Sequence, residues 1–185
     1  MSTKQETRIK QLQYLKTFQG EARHAANHRV FTSLTENDHV KNASSICCFI
    51  SYQNEVDTHQ FIQWCLDQKK AVSVPRMESG NIQLYKIAAL SECAPRTKGI
   101  LEPPSTNQQI DPATVEVFIV AGLAFDPNGY RLGYGQGNYD RLLKNLSGYK
   151  IGICYTNQIM FSLPHEDTDI PMDRVITDTI QISKM

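Results

Sequence analysis

Residues 115–146 read VEVFIVAGLAFDPNGYRLGYGQGNYDRLLKNL. The opening seven are apolar apart from Glu116 and rich in β-branched side chains, which is the composition of a strand covered on both faces. The closing nine, 138–146, place Tyr139, Leu142, Leu143 and Leu146 on one face of a predicted helix. Between them fall five of the chain's ten glycines: Gly122, Gly129, Gly133, Gly135 and Gly137. Strand, glycine loop, helix is the repeating step of a parallel α/β sheet.

The same alternation continues outward. On the amino-terminal side, 46–52 (ICCFISY) reads as a buried strand. After it, Asp57 or Thr58 can cap a helix with Phe61, Ile62, Cys65 and Leu66 on one face. A strand over 71–74 is expected to end at Pro75, and another covers 82–87. The stretch 80–111 has several prolines and few helix signals, so it predicts an irregular excursion. On the carboxyl-terminal side, 151–155 and 175–183 supply further strand. Two helices precede all of this. Over 4–18, Ile9, Leu12, Leu15 and Phe18 recur every third residue; over 22–34, Ala22, Ala26, Val30 and Leu34 point inward. The predicted architecture is a single α/β domain over 1–185, with a mainly parallel sheet in three layers and ligands beyond the carboxyl ends of the strands.

At 185 residues, 41% hydrophobic and 21% charged, the chain can bury a core. Nineteen Lys and Arg balance nineteen Asp and Glu, which excludes a protein that holds nucleic acid by bulk charge. The balance is uneven along the chain. Residues 1–45 carry seven basic residues against four acids, and 164–185 carry five acids against two bases. Two solvated surfaces would look like this, and so would cations and carboxylates facing one another across a polyanion and metal site. Five cysteines without a C-x-x-C pattern, Cys47 and Cys48 within an apolar run, read as core thiols of a reduced cytoplasmic protein. No stretch is long and apolar enough for a bilayer, and the polar first ten residues do not resemble a targeting segment.

The chemistry concentrates in Arg131-Leu132-Gly133-Tyr134-Gly135-Gln136-Gly137-Asn138-Tyr139-Asp140. Glycines let a backbone close on an anion and turn its amides inward, a helix start adds positive potential, and a guanidinium such as that of Arg131 forks onto phosphate oxygens. The loop lacks the G-K-[ST] ending of a Walker A motif. No acid follows the strand at 151–155, as a dinucleotide site would need. Asp140, in the first turn of the helix, either complements the helix dipole or holds Mg²⁺ against a phosphate gripped by the loop, with Asp169 or Asp173, by themselves readable as solvated loop acids, as a second carboxylate. Asp126 sits in a turn signal, Asp-Pro-Asn-Gly, and reads as a turn former. Glu55, just past the first strand, reads by itself as a capping or surface acid; placed in a cleft, its two oxygens would instead suit paired N–H donors of a planar heterocycle. Tyr52, Tyr134 and Tyr139 could supply stacking surface, though Tyr139 also fits the core stripe of its helix. No Ser–His–Asp or Cys–His set and no zinc-like spacing appears; His24, His28 and His39 read as surface.

The stretch AGLAFDPNGYRLGYGQGNYDRLL, residues 121–143, closely resembles the signature of the 5-formyltetrahydrofolate cyclo-ligase (methenyltetrahydrofolate synthetase) family. Supporting matches follow in order: Lys4 with Arg8, Phe49-Ile50-Ser51 leading to Glu55-Val56-Asp57-Thr58, Val74-Pro75-Arg76, Gly99-Ile100-Leu101-Glu102-Pro103 and Asp169-Ile170-Pro171-Met172-Asp173. The resemblance implies a three-layer Rossmann-like fold and an ATP- and Mg²⁺-dependent closure of 5-formyltetrahydrofolate to 5,10-methenyltetrahydrofolate, with release of ADP and phosphate. It implies nucleotide binding by Lys4, Arg8 and the loop Arg131, Leu132, Gly133, Tyr134, Gly135, Gln136, Gly137, Asn138 and Tyr139, with Arg131 and Tyr139 in catalytic roles. Ile50 and Glu55 would hold the folate, and Asp140 and Asp169 the Mg²⁺. A monomer is expected, with no nucleic-acid or membrane partner. Asn138 and Gln136 depart from the family's usual loop, where an aromatic is commoner at the first.

Overall fold

The computed structural model describes residues 3–96 and 99–183. Three helices, α1 (Lys4–Thr17), α2 (Gly20–Glu36) and α3 (Asp38–Asn42), precede β1 (Ser45–Cys48) and α4 (His59–Asp67). A hairpin of β2 (Ala71–Glu78) and β3 (Asn81–Ile87) follows. Short strands β4 (Ala94–Pro95), β5 (Leu101–Glu102) and β6 (Gln109–Ile110) then cross the expected irregular excursion. The chain returns through β7 (Val117–Ala121), the two-stranded β8 (Ala124–Phe125) and β9 (Arg131–Leu132), then α5 (Asn138–Leu143). It ends in β10 (Tyr149–Ile153), β11 (Arg174–Ile176) and β12 (Gln181–Ser183).

The main sheet has the order β12-β11-β10-β7-β1-β2-β3-β6. Its centre, from β2 through β1, β7 and β10 to β11, is parallel, and both flanks are antiparallel. Alternate residues of the central strands feed two separate apolar layers. Ile46, Cys48, Ile119, Ile151 and Ile153 pack with Ala26, Val30 and Leu34 of α2 and Phe61, Ile62 and Cys65 of α4. On the other face Cys47, Phe118 and Val120 pack with Leu143 of α5, Phe125 and Met172. Helices thus cover both faces, as expected for a three-layer α/β fold, although α5 has only six residues and loop side chains complete its layer. Among the described residues no helix is long and apolar enough to cross a membrane.

The topology locates the site. From β1 the chain passes to β2 on one side and later to β7 on the other, so the strand order reverses at β1. The connections leaving the carboxyl ends of β1 and β7 diverge there and open a crevice, the usual ligand position in such sheets. The segment with Glu55 follows β1, and the glycine loop follows β7.

Several expectations need correction. The inward face of α1 is Thr7, Gln11 and Leu15, while Ile9 is 52% exposed and Leu12 38%. The helix lies over the crevice and the glycine loop, so its polar side turns in. Ala22 is exposed at the start of α2. β1 stops at Cys48 because Thr58 diverts the backbone: its hydroxyl donates to the Phe49 carbonyl at 2.8 Å and accepts from the Ser51 amide at 2.9 Å. Of the two expected caps of α4, Asp57 serves as one: its Oδ1 accepts from the His59 amide at 2.9 Å. β2 runs through Pro75, because its pairing with β1 covers only Ala71, Val72 and Ser73 and a residue without N–H is tolerated on a free edge. The helix α5 ends at Leu143, with Asn145 in the left-handed region, rather than continuing to Leu146. The last predicted strand folds back on itself as β11 and β12, turned by the Thr177 hydroxyl, which donates to the Ile180 carbonyl and accepts from the Thr179 and Ile180 amides.

Asp126 is the turn former its sequence context suggests. It is buried, with Oδ1 accepting from the Asn128 and Tyr130 amides at 3.0 Å each and Oδ2 from the Leu163 amide at 3.1 Å. Gly129 in the same turn has φ +85°, and the backbone of Met172 lies against the position a Cβ would take. Gly129→Ala should therefore cost about 2 kcal/mol and lower Tm by about 6 °C. Thermal unfolding of the variant checks this, and an unchanged Tm would show that the turn relaxes without cost.

Candidate active site

The glycine loop is braced by contacts at both ends. Gly135 and Gly137 have φ of +101° and +63°, conformations that L side chains rarely adopt. A Cβ on Gly133 would stand 2.7 Å from Nη1 of Arg131, so the missing side chain is what lets that guanidinium lie along the loop. From α1, Arg8 donates through Nε to the Gly133 carbonyl at 2.9 Å and lies beside Gly135. At the far end Arg141 donates to the Gln136 carbonyl at 2.7 Å and the Asn138 side-chain oxygen at 2.5 Å, and reaches the Gly80 carbonyl in the β2–β3 turn at 3.1 Å. Asn138 also donates to Gln136 Oε1 at 3.1 Å, so the two unusual loop residues brace each other. Leu132 is buried against Ala124 and Leu163 and anchors the start of the loop. The six-residue α5 adds less helix-end potential than the longer helix expected from sequence.

Beside the loop, opposite charges from the two ends of the chain meet. Lys4 lies 3.1 Å from Asp169 and 3.5 Å from Glu166, which turns the sequence-level charge asymmetry into an interface; Arg29 and Asp178 form a second such pair at 3.5 Å. Arg131 donates to Asp140 at 2.9 Å, and the other oxygen of Asp140 accepts from the Ile170 amide at 3.2 Å, which joins the two aspartates' segments. Partial burial alone would push the Asp169 carboxyl up, but hydrogen bonds from the Glu166 amide and Lys4 and the charges of Lys4 and Arg131 bring it below the usual range. Asp173 is not part of this cluster. Its Oδ2 accepts from the Lys150 amide at 2.8 Å, at the opposite end of β10.

Arg131 carries the most informative detail. Its side chain is 5% exposed, its Cζ lies 5.4 Å from the Tyr139 ring centre, and its Nε–H is buried without a partner. A buried donor left unpaired costs stability, and an oxyanion arriving at the loop would satisfy it. Tyr139 is held neutral: burial first, then the nearby Cys47 and Glu55, push its phenol well above the ordinary range, against a smaller opposing pull from Arg131.

On the other side of the crevice, Glu55 Oε2 accepts from the Tyr52 amide at 2.8 Å and Oε1 accepts from the Tyr134 hydroxyl at 3.1 Å. Burial raises its carboxyl, although these two hydrogen bonds pull the other way. Beneath this bridge runs a narrow slot lined by Leu15, Phe49, Val56, Leu123 and Gln158. Ile50 does not line the slot; it is buried in the same apolar layer as Phe49, its predecessor, which does. Gln158 is a member that sequence reading missed. Its side chain donates to the Gly122 and Leu123 carbonyls at 3.2 and 3.0 Å and accepts from the Tyr155 amide at 2.8 Å, fixing the backbone where β7 ends.

The donor set can be tested against a metal. Among the described residues no three His, Cys, Asp or Glu gather into a metal centre. Asp140 and Asp169 are hard oxygen donors linked through Ile170, and their charges are balanced by Arg131 and Lys4. Two such carboxylates suit Mg²⁺ that arrives with phosphate oxygens and keeps waters, and not an ion caged by protein alone.

Residues 1–178 match the pattern of the 5-formyltetrahydrofolate cyclo-ligase family. The chain belongs to that family. An Escherichia coli K12 5-formyltetrahydrofolate cyclo-ligase is 32% identical over 142 residues, covering 73% of this chain and 78% of its own length. A probable 5-formyltetrahydrofolate cyclo-ligase of Caenorhabditis elegans is 27% identical over 195 residues, 95% of each chain. The structure of Aquifex aeolicus 5,10-methenyltetrahydrofolate synthetase superposes with a TM-score of 0.88 at 31% identity, covering 97% of this chain and 92% of that one. This cyclo-ligase family member is therefore an enzyme with the three-layer α/β fold of its relatives, as the signature at residues 121–143 implied.

Proposed function

We propose that the chain converts 5-formyltetrahydrofolate and ATP to 5,10-methenyltetrahydrofolate, ADP and phosphate. The observation that carries this reading is the 3.1 Å contact between Tyr134 and Glu55, which brings the anion loop and the heterocycle anchor face to face at the reversal of strand order. A loop for phosphate and a carboxylate for a pterin are useful together only if phosphate passes between their ligands.

In this reading the triphosphate lies along the loop from Arg131 to Tyr139, its oxygens taken by loop amides, Lys4, Arg8 and the unpaired Nε–H of Arg131. Glu55 accepts the paired N–H groups of the pterin, displacing the Tyr134 hydroxyl, in a slot walled by Phe49 and backed by the layer containing Ile50. A formamide oxygen is a poor leaving group. Transfer of the γ-phosphoryl to it forms an O–P bond as the β,γ-bridging O–P bond breaks, giving an iminium-like phosphate and ADP. The folate's own N10 then attacks the formyl carbon, loses its proton, and the C–O bond breaks to release phosphate. Positioning and charge stabilisation suffice for such chemistry, so no protein nucleophile is required. Arg131 balances charge at the transferring group, and neutral Tyr139 supports its guanidinium from below. Mg²⁺ held by Asp140 and Asp169 with phosphate oxygens would supply charge neutralisation there. The reading takes the protein as a cytoplasmic monomer, with Cys47, Cys48, Cys65 and Cys154 serving as small buried hydrophobes.

The test is to incubate the protein with 5-formyltetrahydrofolate, Mg²⁺ and ATP and follow the ultraviolet absorbance of the methenyl product. Product should form only with ATP present. No product, or product at the same rate without ATP, overturns the reading.

A further inference from the structure

The segment that carries Glu55 has no regular structure of its own. It runs from Tyr52 to Asp57 between β1 and α4, and Gln53 within it adopts φ +52°, a conformation unusual for a side-chain-bearing residue. Within it the Glu55 amide donates to the Tyr52 carbonyl at 3.3 Å and closes a turn, and that turn is held from α2. The Arg23 guanidinium donates through Nη2 to the Gln53 carbonyl at 2.8 Å and the Glu55 carbonyl at 3.0 Å, and through Nη1 to Asn54 Oδ1 at 3.3 Å. Its Nε donates to the Tyr155 hydroxyl at 3.1 Å, which fixes the plane of the fork. One helical turn on, Asn27 Oδ1 accepts from the Asp57 amide at 3.2 Å and from the same Tyr155 hydroxyl at 2.7 Å. Tyr155 is 1% exposed and packs edge-on against Phe18 at 4.8 Å, so both contacts refer back to the rigid core.

We propose that Arg23 and Asn27 are positioning residues for the pterin anchor: α2 grips the segment on both sides of Glu55 and so sets where its carboxylate stands. Among the described residues neither side chain hydrogen-bonds to the nucleotide loop, and Arg23 holds carbonyls rather than the Glu55 carboxylate itself. Their effect should therefore fall on the folate alone. Lysine cannot reproduce a planar fork that spans two carbonyls and a hydroxyl at once, so it should replace Arg23 only in part. The inference rests on the reading of Glu55 as the folate anchor.

The experiment measures binding of 5-formyltetrahydrofolate and of ATP separately to wild type, Arg23→Ala, Arg23→Lys, Asn27→Ala, Glu55→Gln and the double variant Arg23→Ala/Glu55→Gln, with Tm as a control. Arg23→Ala should weaken the folate about tenfold or more, since small misplacements of a binding group are costly. ATP binding should stay within about twofold by the same reasoning. Arg23→Lys and Asn27→Ala should fall between Arg23→Ala and wild type, and they carry the test should Arg23→Ala not fold. In the Glu55→Gln background, removing Arg23 should cost little more, whereas a merely structural arginine would lower both affinities together or cost the same in either background. Either of those results, or an unchanged folate affinity, overturns the clamp. A wild-type chain that does not bind the folate overturns the site reading as well, which separates the two failures.

Discussion

Glu55→Gln is expected to lower kcat/KM for 5-formyltetrahydrofolate to about a thousandth, since two hydrogen bonds from the pterin to an ionised acceptor are weakened or lost, while ATP affinity is unchanged. The same substitution should leave the fold as stable or make it more so. Glu55 is held above its ordinary pKa by burial, so the folded state disfavours the charged form and ionised Glu55 costs stability at neutral pH. That cost is absent at a pH below the unfolded carboxyl's pKa and sets in as pH rises through the raised folded value. Glutamine never bears it, and its amide oxygen can still accept from the Tyr52 amide. The Tm of Glu55→Gln relative to wild type should therefore rise with pH and converge with it in acid. Catalysis should show the reverse dependence. The acid limb of wild-type kcat/KM should lie above the usual glutamate range, because the anchor must be ionised in the free enzyme. Steady-state rates and thermal melts over the same pH series test both halves. A variant that turns over normally removes Glu55 from the site, and one that is inactive only because it is unfolded is exposed by its melt.

How much of this was legible in the sequence depends on what each residue answers to. The strand at 117–121 is readable because covering on both faces demands an unbroken apolar run. The glycine loop is readable as a loop because closely spaced glycines between a strand and a helix suit a backbone that turns sharply, whereas only the fold brings Glu55 to it, through Tyr134. The face of α1 is half misread for the same reason that it matters: a helix lying over a polar site turns Thr7 and Gln11 inward with Lys4 and Arg8 nearby, so the threefold apolar spacing finds Leu15 and Phe18 but also draws in Ile9 and Leu12, which are exposed. Pro75 misleads because sequence does not say that β1 ends before the strand beside it. Arg23, Arg141 and Gln158 could not be found, since a polar residue in a helix or turn looks solvated until the fold supplies the carbonyls it holds.

Arg131→Ala should weaken ATP about a hundredfold, as expected for loss of a charge-assisted contact worth about 3 kcal/mol, and should affect the folate much less. Two effects combine in that number and can be separated. The first is loss of the donor whose Nε–H has no partner in the protein. The second is electrostatic. Without Arg131, the Ile170 amide is the one hydrogen-bond donor left to Asp140 among the described residues, and it and Asp169 face the incoming triphosphate with Lys4 paired to Asp169 alone of the two. The broken pair should also cost about 2 kcal/mol of stability, less than a fully buried pair because Asp140 keeps some contact with water. Adding Asp140→Asn to Arg131→Ala removes the stranded charge. Stability should then return towards wild type while ATP binding, measured without Mg²⁺ so that the loss of Asp140 as a metal ligand does not enter, stays weak for want of the guanidinium. If instead ATP binding returns with stability, Arg131 serves only to neutralise Asp140 and the phosphate contact is wrong. If ATP and folate weaken equally in the single variant, the loop has lost its shape, and Arg131 is a scaffold residue.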